Sequence, residues 1–234
     1  PEDRIIHYEW IKFYDQLPSN IQANRVGYVI SVDPAISQKD TADKTAILVG
    51  AIYKSKNFHY LYITDIYNSQ MNFPTTKELI ERLSSTVDPR HKTTILVEQV
   101  GYQEALIQAL KTEGYPVEGI NPHGSDKRAR LSVASSYVKN GNVFFPKHRS
   151  TELTDQLTNF GVEKYDDLVD AFTMMVNEVF GTNNSRLNSQ GPISVNVIGP
   201  SIYGRKSGED WADVEDRQML SRINRRAKWR RIIG

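Results

Sequence analysis

The sequence predicts an α/β fold with a mixed central sheet, three antiparallel strands followed by alternating strands and helices, flanked by helices. Three observations carry this. Three β-branched, apolar runs follow one another between residues 26 and 67, separated by polar breaks. From residue 74 the apolar period switches, so that helical and strand-like segments alternate. The run "TTILVEQV" is apolar up to its acid, as a strand covered on both faces requires.

The elements follow in order. "VGYVISVD" (26–33) reads as a buried strand ending in an acid, and "TAILVGAIY" (45–53) as a second strand beyond the polar loop "PAISQKDTADK". "FHYLYITDIY" (58–67) is a third, and Asn57 in the tetrapeptide "KSKN" suits a hairpin, so the three form an antiparallel meander. "PTTKELIERLSSTV" (74–87) has proline near its start and Leu79, Ile80 and Leu83 at helical spacing. A fourth strand spans 93–100, and a helix over 102–114 closes at Gly114. A short strand lies around 117–120, and a helix over 125–141 again closes at glycine. Then come the short strand "NVFFP", a helix over 150–160 with a serine or threonine cap, and a last helix, "GVEKYDDLVDAFTMMVNEVF" (161–180).

Three segments result: a lead-in arm (1–25), a core domain (26–181), and an Asn/Ser/Gly/Pro-rich linker with a basic C-terminal tail (182–234). The chain starts at Pro1 rather than methionine, which reads as a piece of a longer protein. It has 234 residues, 39% of them apolar, a near-neutral net charge of +1 and no cysteine, which excludes disulfides and thiolate metal sites. It shows neither a signal-peptide pattern nor an apolar run long enough for a membrane span. No GxxxxGK[ST] occurs, so no ATP hydrolysis is expected of this chain.

The last helix raises the chemical question. Leu168, Ala171, Phe172, Met175, Val176 and Val179 form an apolar stripe, yet the first turn carries Asp166, Asp167 and Asp170. Helix-end electrostatics offers one explanation, since acids gain roughly 0.3–1 kcal/mol each there, and Asp166 suits the N-cap. The rest of the chain offers another. Asp33 closes the first core strand and Glu98 the fourth, and pairing those two strands sets the acids side by side. Unit charges about 4 Å apart repel by roughly 4 kcal/mol at an effective dielectric of 20, and a cation makes the arrangement tolerable. Asp167 and Asp170 supply a third wall, with Asp166 and Asp170 an equally good pair by spacing. An all-oxygen set without cysteine or paired histidines favours Mg²⁺ or Mn²⁺ over zinc. Two such ions about 3.5–4 Å apart support phosphodiester hydrolysis.

Basic residues Lys127, Arg128 and Arg130 head a helix, where they oppose the dipole. Phosphate contact explains them better than a solvated face. Asp40 and Asp43 read as loop acids, with Asp43 the better ligand candidate. His7, His59, His91, His123 and His148 show no metal spacing and read as surface or loop residues. The tail "RINRRAKWRR" has six basic residues in ten around Trp229, which suits DNA or serves solubility.

"VDPA", "DKTAILVG", "ILVEQVGYQEAL", "SDKRARLSVASSYVKNGNVFFP" and "KYDDLVDAF", in that order over residues 26–180, resemble the C-terminal nuclease domain of tailed-bacteriophage large terminase subunits. The resemblance implies an RNase H-like fold and a metal-dependent endonuclease that cuts concatemeric double-stranded DNA during viral genome packaging. It implies Asp33, Glu98 and Asp167 as catalytic residues, metal binding by these with Asp166 and Asp170, and two Mg²⁺ or Mn²⁺ ions. It also implies Lys127 near the site, an ATPase domain in the same full-length chain, and the portal protein and small terminase subunit as partners. The setting implied is the cytoplasm of an infected bacterium, with transient docking on the procapsid. Tyr165 departs from the histidine common before the paired aspartates. Competing readings are a resolvase- or transposase-type nuclease, a sugar-kinase or actin-type ATPase, and a non-catalytic DNA or portal docking module. The ATPase reading lacks glycine-rich phosphate loops and a second lobe.

Overall fold

The structure, a computed structural model, describes residues 4–17, 24–35, 44–55, 58–99, 103–121, 126–162 and 166–181. Asp40, Asp43, Asn57, His123, Tyr165, and the linker and basic tail from residue 182 lie outside the described residues.

Seven strands form one sheet: β1 (Lys12–Tyr14), β2 (Arg25–Asp33), β3 (Thr45–Ser55), β4 (Phe58–Ser69), β5 (Lys92–Glu98), β6 (Val117–Ile120) and β7 (Val143–Pro146), in the order β1-β7-β4-β3-β2-β5-β6. The expected meander is present, β2 and β3 antiparallel and β3 and β4 likewise. β5 joins β2 in parallel, and β6 joins β5 in parallel. Five helices flank the sheet: α1 (Phe73–Thr86), α2 (Glu104–Thr112), α3 (Lys127–Lys139), α4 (Thr151–Thr158) and α5 (Asp167–Phe180).

Strand alternation divides the core into two layers. Val29 of β2, Ala46 and Leu48 of β3 and Leu96 of β5 face α3, α4 and α5, packing with Leu131, Leu157, Phe172 and Met175. Ile30 and Val32, with Ile95 and Val97, point the other way onto α1 and α2, against Ile80, Leu83 and Leu110. The central strands are thus covered on both faces, which is why they read as continuous apolar runs. Gly114 and Gly141, just past α2 and α3, have φ of 85° and 74°, a left-handed turn that the expected glycine stops provide.

Three features differ from the expectation. The lead-in adds a strand, β1, parallel to β7 at the sheet edge, and its Ile6 and Ile11 are buried in the α5-side core. A three-residue strand whose side chains are mostly exposed has no apolar alternation to reveal it. Ser150 precedes α4 but makes no side-chain cap; its hydroxyl donates to the Pro146 carbonyl at 2.7 Å. His59, expected on the surface or in a loop, lies within β4, and burial lowers its pKa.

α5 carries the largest share of buried side chains among the helices and lies across β2 and β3. Two contacts seat it. The Ser31 hydroxyl of β2 donates to the Ala171 carbonyl at 2.7 Å, inside the core. Gly50 of β3 leaves room for the helix, since a Cβ there would lie 2.9 Å from Met175 Sδ and 2.6 Å from Leu61 Cδ1. Among the described residues, no helix is long and apolar enough to cross a membrane. Gly50→Val should overpack this seat and cost about 1–3 kcal/mol, read as a lowered urea midpoint. An unchanged midpoint would mean that α5 does not press on β3 at Gly50.

Candidate metal and phosphate site

The sheet register builds the site. Ser31 pairs with Leu96 and Val32 with Val97 across the parallel β2–β5 ladder, so Asp33 and Glu98 are the next residues on each strand. Alternation places Asp33 on the face of Val29 and Ser31, and Glu98 on the face of Leu96, and both are faces that meet α5. Across the antiparallel ladder Asp33 faces Ala46, whose short side chain leaves space beside the carboxyl. α5 begins at the same end of the sheet, so the four expected acids of β2, β5 and α5 converge.

The acids act on one another electrostatically. The Asp33 carboxyl is held well above its ordinary range by burial, by a hydrogen bond with the Glu98 carboxyl, and by the charges of Glu98, Asp170 and Asp167. The hydrogen bond favours the form in which Asp33 keeps a proton and donates it to Glu98. Burial likewise raises Asp170, opposed by Lys127 and reinforced by Glu98 and Asp166. Asp167 Oδ2 is closed off from solvent. The structure therefore brings Asp33, Glu98, Asp167 and Asp170 together, and sets Asp166 at the rim with 41% of its side chain exposed.

Asp166 occupies the N-cap position of α5, yet its side chain makes no cap hydrogen bond. The Gln156 side chain of α4 does that work instead, its Oε1 accepting from the Leu168 N–H at 3.1 Å in the interior. The helix start is satisfied without its acids, so their position is not explained by capping.

Two of the three expected phosphate-contacting residues turn inward. Lys127 Nζ lies 2.5 Å from Asp170 Oδ2 and 3.0 Å from Asp166 Oδ2. Arg130 donates to Asp170 Oδ1 at 2.9 Å. Burial would lower the Lys127 pKa, but its bonds to Asp170 and Asp166 outweigh that and hold it above the ordinary lysine value. Arg128 is exposed, and its backbone N–H donates to Asp126 Oδ1, the N-cap of α3. Asp126 thus compensates in part for the basic start of α3.

Sequence reasoning did not find the residues that fix the acids in place. Gln103, buried before α2, donates through Nε2 to the Pro34 carbonyl at 3.1 Å. The Ala35 N–H donates to Thr45 Oγ1 at 3.1 Å. The backbone leaving Asp33 is therefore pinned from two sides. The usable signal was a glutamine at the head of an amphipathic helix just after an acid-ended strand.

Among the described residues, no group of three or more Asp, Glu or His side chains is arranged so that it could hold a metal ion. The donor chemistry of the described acids nevertheless suits a hard cation, being all carboxylate oxygen, and the Lys127 ammonium and Arg130 guanidinium are positive charges that relieve it.

No known family's sequence profile matches the chain, and no curated protein sequence does. The fold does have counterparts among solved structures. The large terminase nuclease of the thermophilic phage G20c, solved with bound magnesium, aligns at a TM-score of 0.56 and 12% identity, covering 76% of this chain and 98% of that one. The P22 large terminase nuclease domain aligns at 0.52 and 14%, covering 76% and 97%. The large terminase of another thermophilic bacteriophage aligns at 0.55 and 13%, covering 74% of this chain; the match spans 44% of that longer terminase. This chain has the RNase H-like fold of large terminase nuclease domains.

Two outcomes test the site. Asp33 has its native pKa raised above the ordinary 3.8. Between about pH 4 and the native value the folded chain binds more protons than the unfolded chain, so this group makes stability fall as pH rises through that window. In EDTA, urea midpoints across pH should show a decline in the wild type that is shallower in Asp33→Asn, since Asp170 still contributes; parallel curves would mean that Asp33 ionises without penalty. Gln156→Ala should cost about 1 kcal/mol, the scale of a lost cap, and a stability change within error would remove the cap from Gln156.

Proposed function

We propose that this chain is the nuclease domain of a viral DNA-packaging terminase, a metal-dependent endonuclease acting on double-stranded DNA. The observation that carries the reading is the meeting of Asp33, Glu98, Asp167 and Asp170 at one end of adjacent parallel strands, in a fold shared with terminase nucleases. Asp33, Glu98 and Asp167 are the proposed catalytic ligands, with Asp170 and Asp166 completing a site for two Mg²⁺ or Mn²⁺ ions. The ions would supply the activation of water and the stabilisation of the leaving oxygen.

The chain's own residues hold that arrangement. Ser31, Gln103 and Thr45 fix the strand and loop that carry Asp33. The buried floor below the acids keeps their charges strongly coupled. Lys127 and Arg130 place two cations at the start of α3 beside the acids, and Arg128 is exposed on the same turn, so that a DNA phosphate would meet positive charge there. On this reading the substrate is concatemeric viral DNA. An ATPase domain of the same full-length chain, the portal protein and the small terminase subunit are partners in the infected host's cytoplasm and at the procapsid.

One observation favours a second reading, a non-catalytic docking module. The Asp33–Glu98 hydrogen bond and the Lys127 and Arg130 ion pairs relieve the acid cluster without any metal. Plasmid nicking separates the two. The wild type should nick with Mn²⁺ or Mg²⁺ and not in EDTA, and Asp33→Ala and Asp167→Ala should lose more than the ~10–100-fold typical of residues behind a ligand. A folded chain that binds DNA and cuts with neither metal is a docking module. Cutting that survives both substitutions puts the active site elsewhere.

A further inference from the structure

We propose that Lys127 is an internal counter-cation, which holds the metal-free site together through Asp170 and is displaced from that carboxylate when a metal binds, while Arg130 stays. The inference rests on the metal-site reading above.

Both Asp170 oxygens are taken: Oδ2 by Lys127 and Oδ1 by Arg130. Only 8% of the Asp170 side chain is exposed and each of its oxygens faces a cation at close range, so a metal reaching it meets electrostatic competition from one of the two. They are not equal competitors. Arg130 is one turn inside α3 with 17% of its side chain exposed, and it aims a planar guanidinium at Oδ1. Lys127 stands in the first position of α3 with 47% exposed, on a flexible stem with freely rotating donors. Solvent is ready to receive its ammonium, and Asp166 at 3.0 Å gives it a second anchor at the rim. Oδ2 is therefore the atom that opens to a metal, and Oδ1 stays bonded to Arg130.

This also accounts for a basic residue at a helix N-terminus, where the dipole opposes it. The carboxylates of α5 supply the compensating charge. Released from Asp170, Lys127 remains tethered to Asp166 through Oδ2, which leaves Asp166 Oδ1 to the metal site. In that role it is a positioning residue that sets metal affinity.

The test titrates Mn²⁺ alone into the whole chain by calorimetry, at low salt. Lys127→Met should bind Mn²⁺ at least about threefold more tightly than wild type, the scale of a partly exposed ion pair. Its melting temperature in EDTA should fall, and the rise on adding Mn²⁺ should exceed that of wild type. A second readout needs no variant: acetylation of Lys127, followed by peptide mass, should be several-fold faster with Mg²⁺ than in EDTA, while Lys77, in its own ion pairs far along the chain, stays unchanged. Wild-type Mn²⁺ binding with Lys127→Met no tighter, or Lys127 acetylation indifferent to Mg²⁺, overturns the displacement. Failure of wild type and variant alike to bind Mn²⁺ overturns the metal-site reading, and this inference with it.

Discussion

Four carboxylates crowded at one end of a sheet are the constraint to which the surrounding structure answers. Asp33 and Glu98 reach that end because β2 and β5 run parallel, so their last residues finish together. Asp167 and Asp170 reach it because α5 starts there. Each added charge raises the cost of the others, and a half-buried position makes that cost several times what water would allow. The fold meets it with a hydrogen bond between the two strand-end acids and with two cations, and each of these depends on backbone placed elsewhere. The Asp33–Glu98 hydrogen bond needs the β2–β5 register, and the ion pairs of Asp170 need α3 laid beside α5.

Such a site needs a rigid frame, since a carboxylate free to swing away would relieve the repulsion and abolish the cluster. The frame is visible in what does not carry charge. Ser31 ties β2 to α5, Gln156 ties α4 to its first turn, and Gln103 and Thr45 hold the two ends of the Pro34–Ala35 peptide group. These are neutral hydrogen bonds, mostly buried, and neutral donors add no further charge to a crowded region. The capping by Gln156 has a particular consequence. A helix that begins with three aspartates and leaves its cap to a glutamine from another helix keeps those aspartates available for other partners.

The strands and most helices were legible because their signals are local. A strand covered on both faces must be apolar throughout, a helix on one face must repeat every three to four residues, and glycine past the last turn marks the stop. The acids were legible for the same reason: Glu98 directly follows "ILV", and an ionisable group at the end of a buried strand demands a partner. What stayed hidden is what depends on distant juxtaposition. β1 is three residues long and pairs with a strand more than a hundred residues away. The partners of Lys127 and Arg130 lie about forty positions on, and nothing in "SDKRAR" states that two of its cations turn inward. Gln156 and Gln103 look like ordinary helix-surface amides until the neighbouring elements close over them.

The inward turn of those cations bears on how an acidic site accepts an acidic substrate. DNA presents one phosphate charge after another, and a bare cluster of carboxylates would repel it. Positive charge is therefore needed twice, once among the acids and once at the rim where the backbone arrives. Lys127 stands between the two places, on Asp170 at the floor and Asp166 at the edge, with half its length in solvent. On the proposed reading, a metal that takes over the floor leaves the ammonium at the edge, so the charge that stabilised the empty site is the charge that meets the phosphate. Arg130, fixed below, keeps Asp170 aimed in both states. The basic start of α3 and the acidic start of α5 are each unfavourable or unexplained when considered singly. Placed side by side they form one electrostatic unit, and the sheet that brings β2 and β5 to a common end is what the unit is built upon.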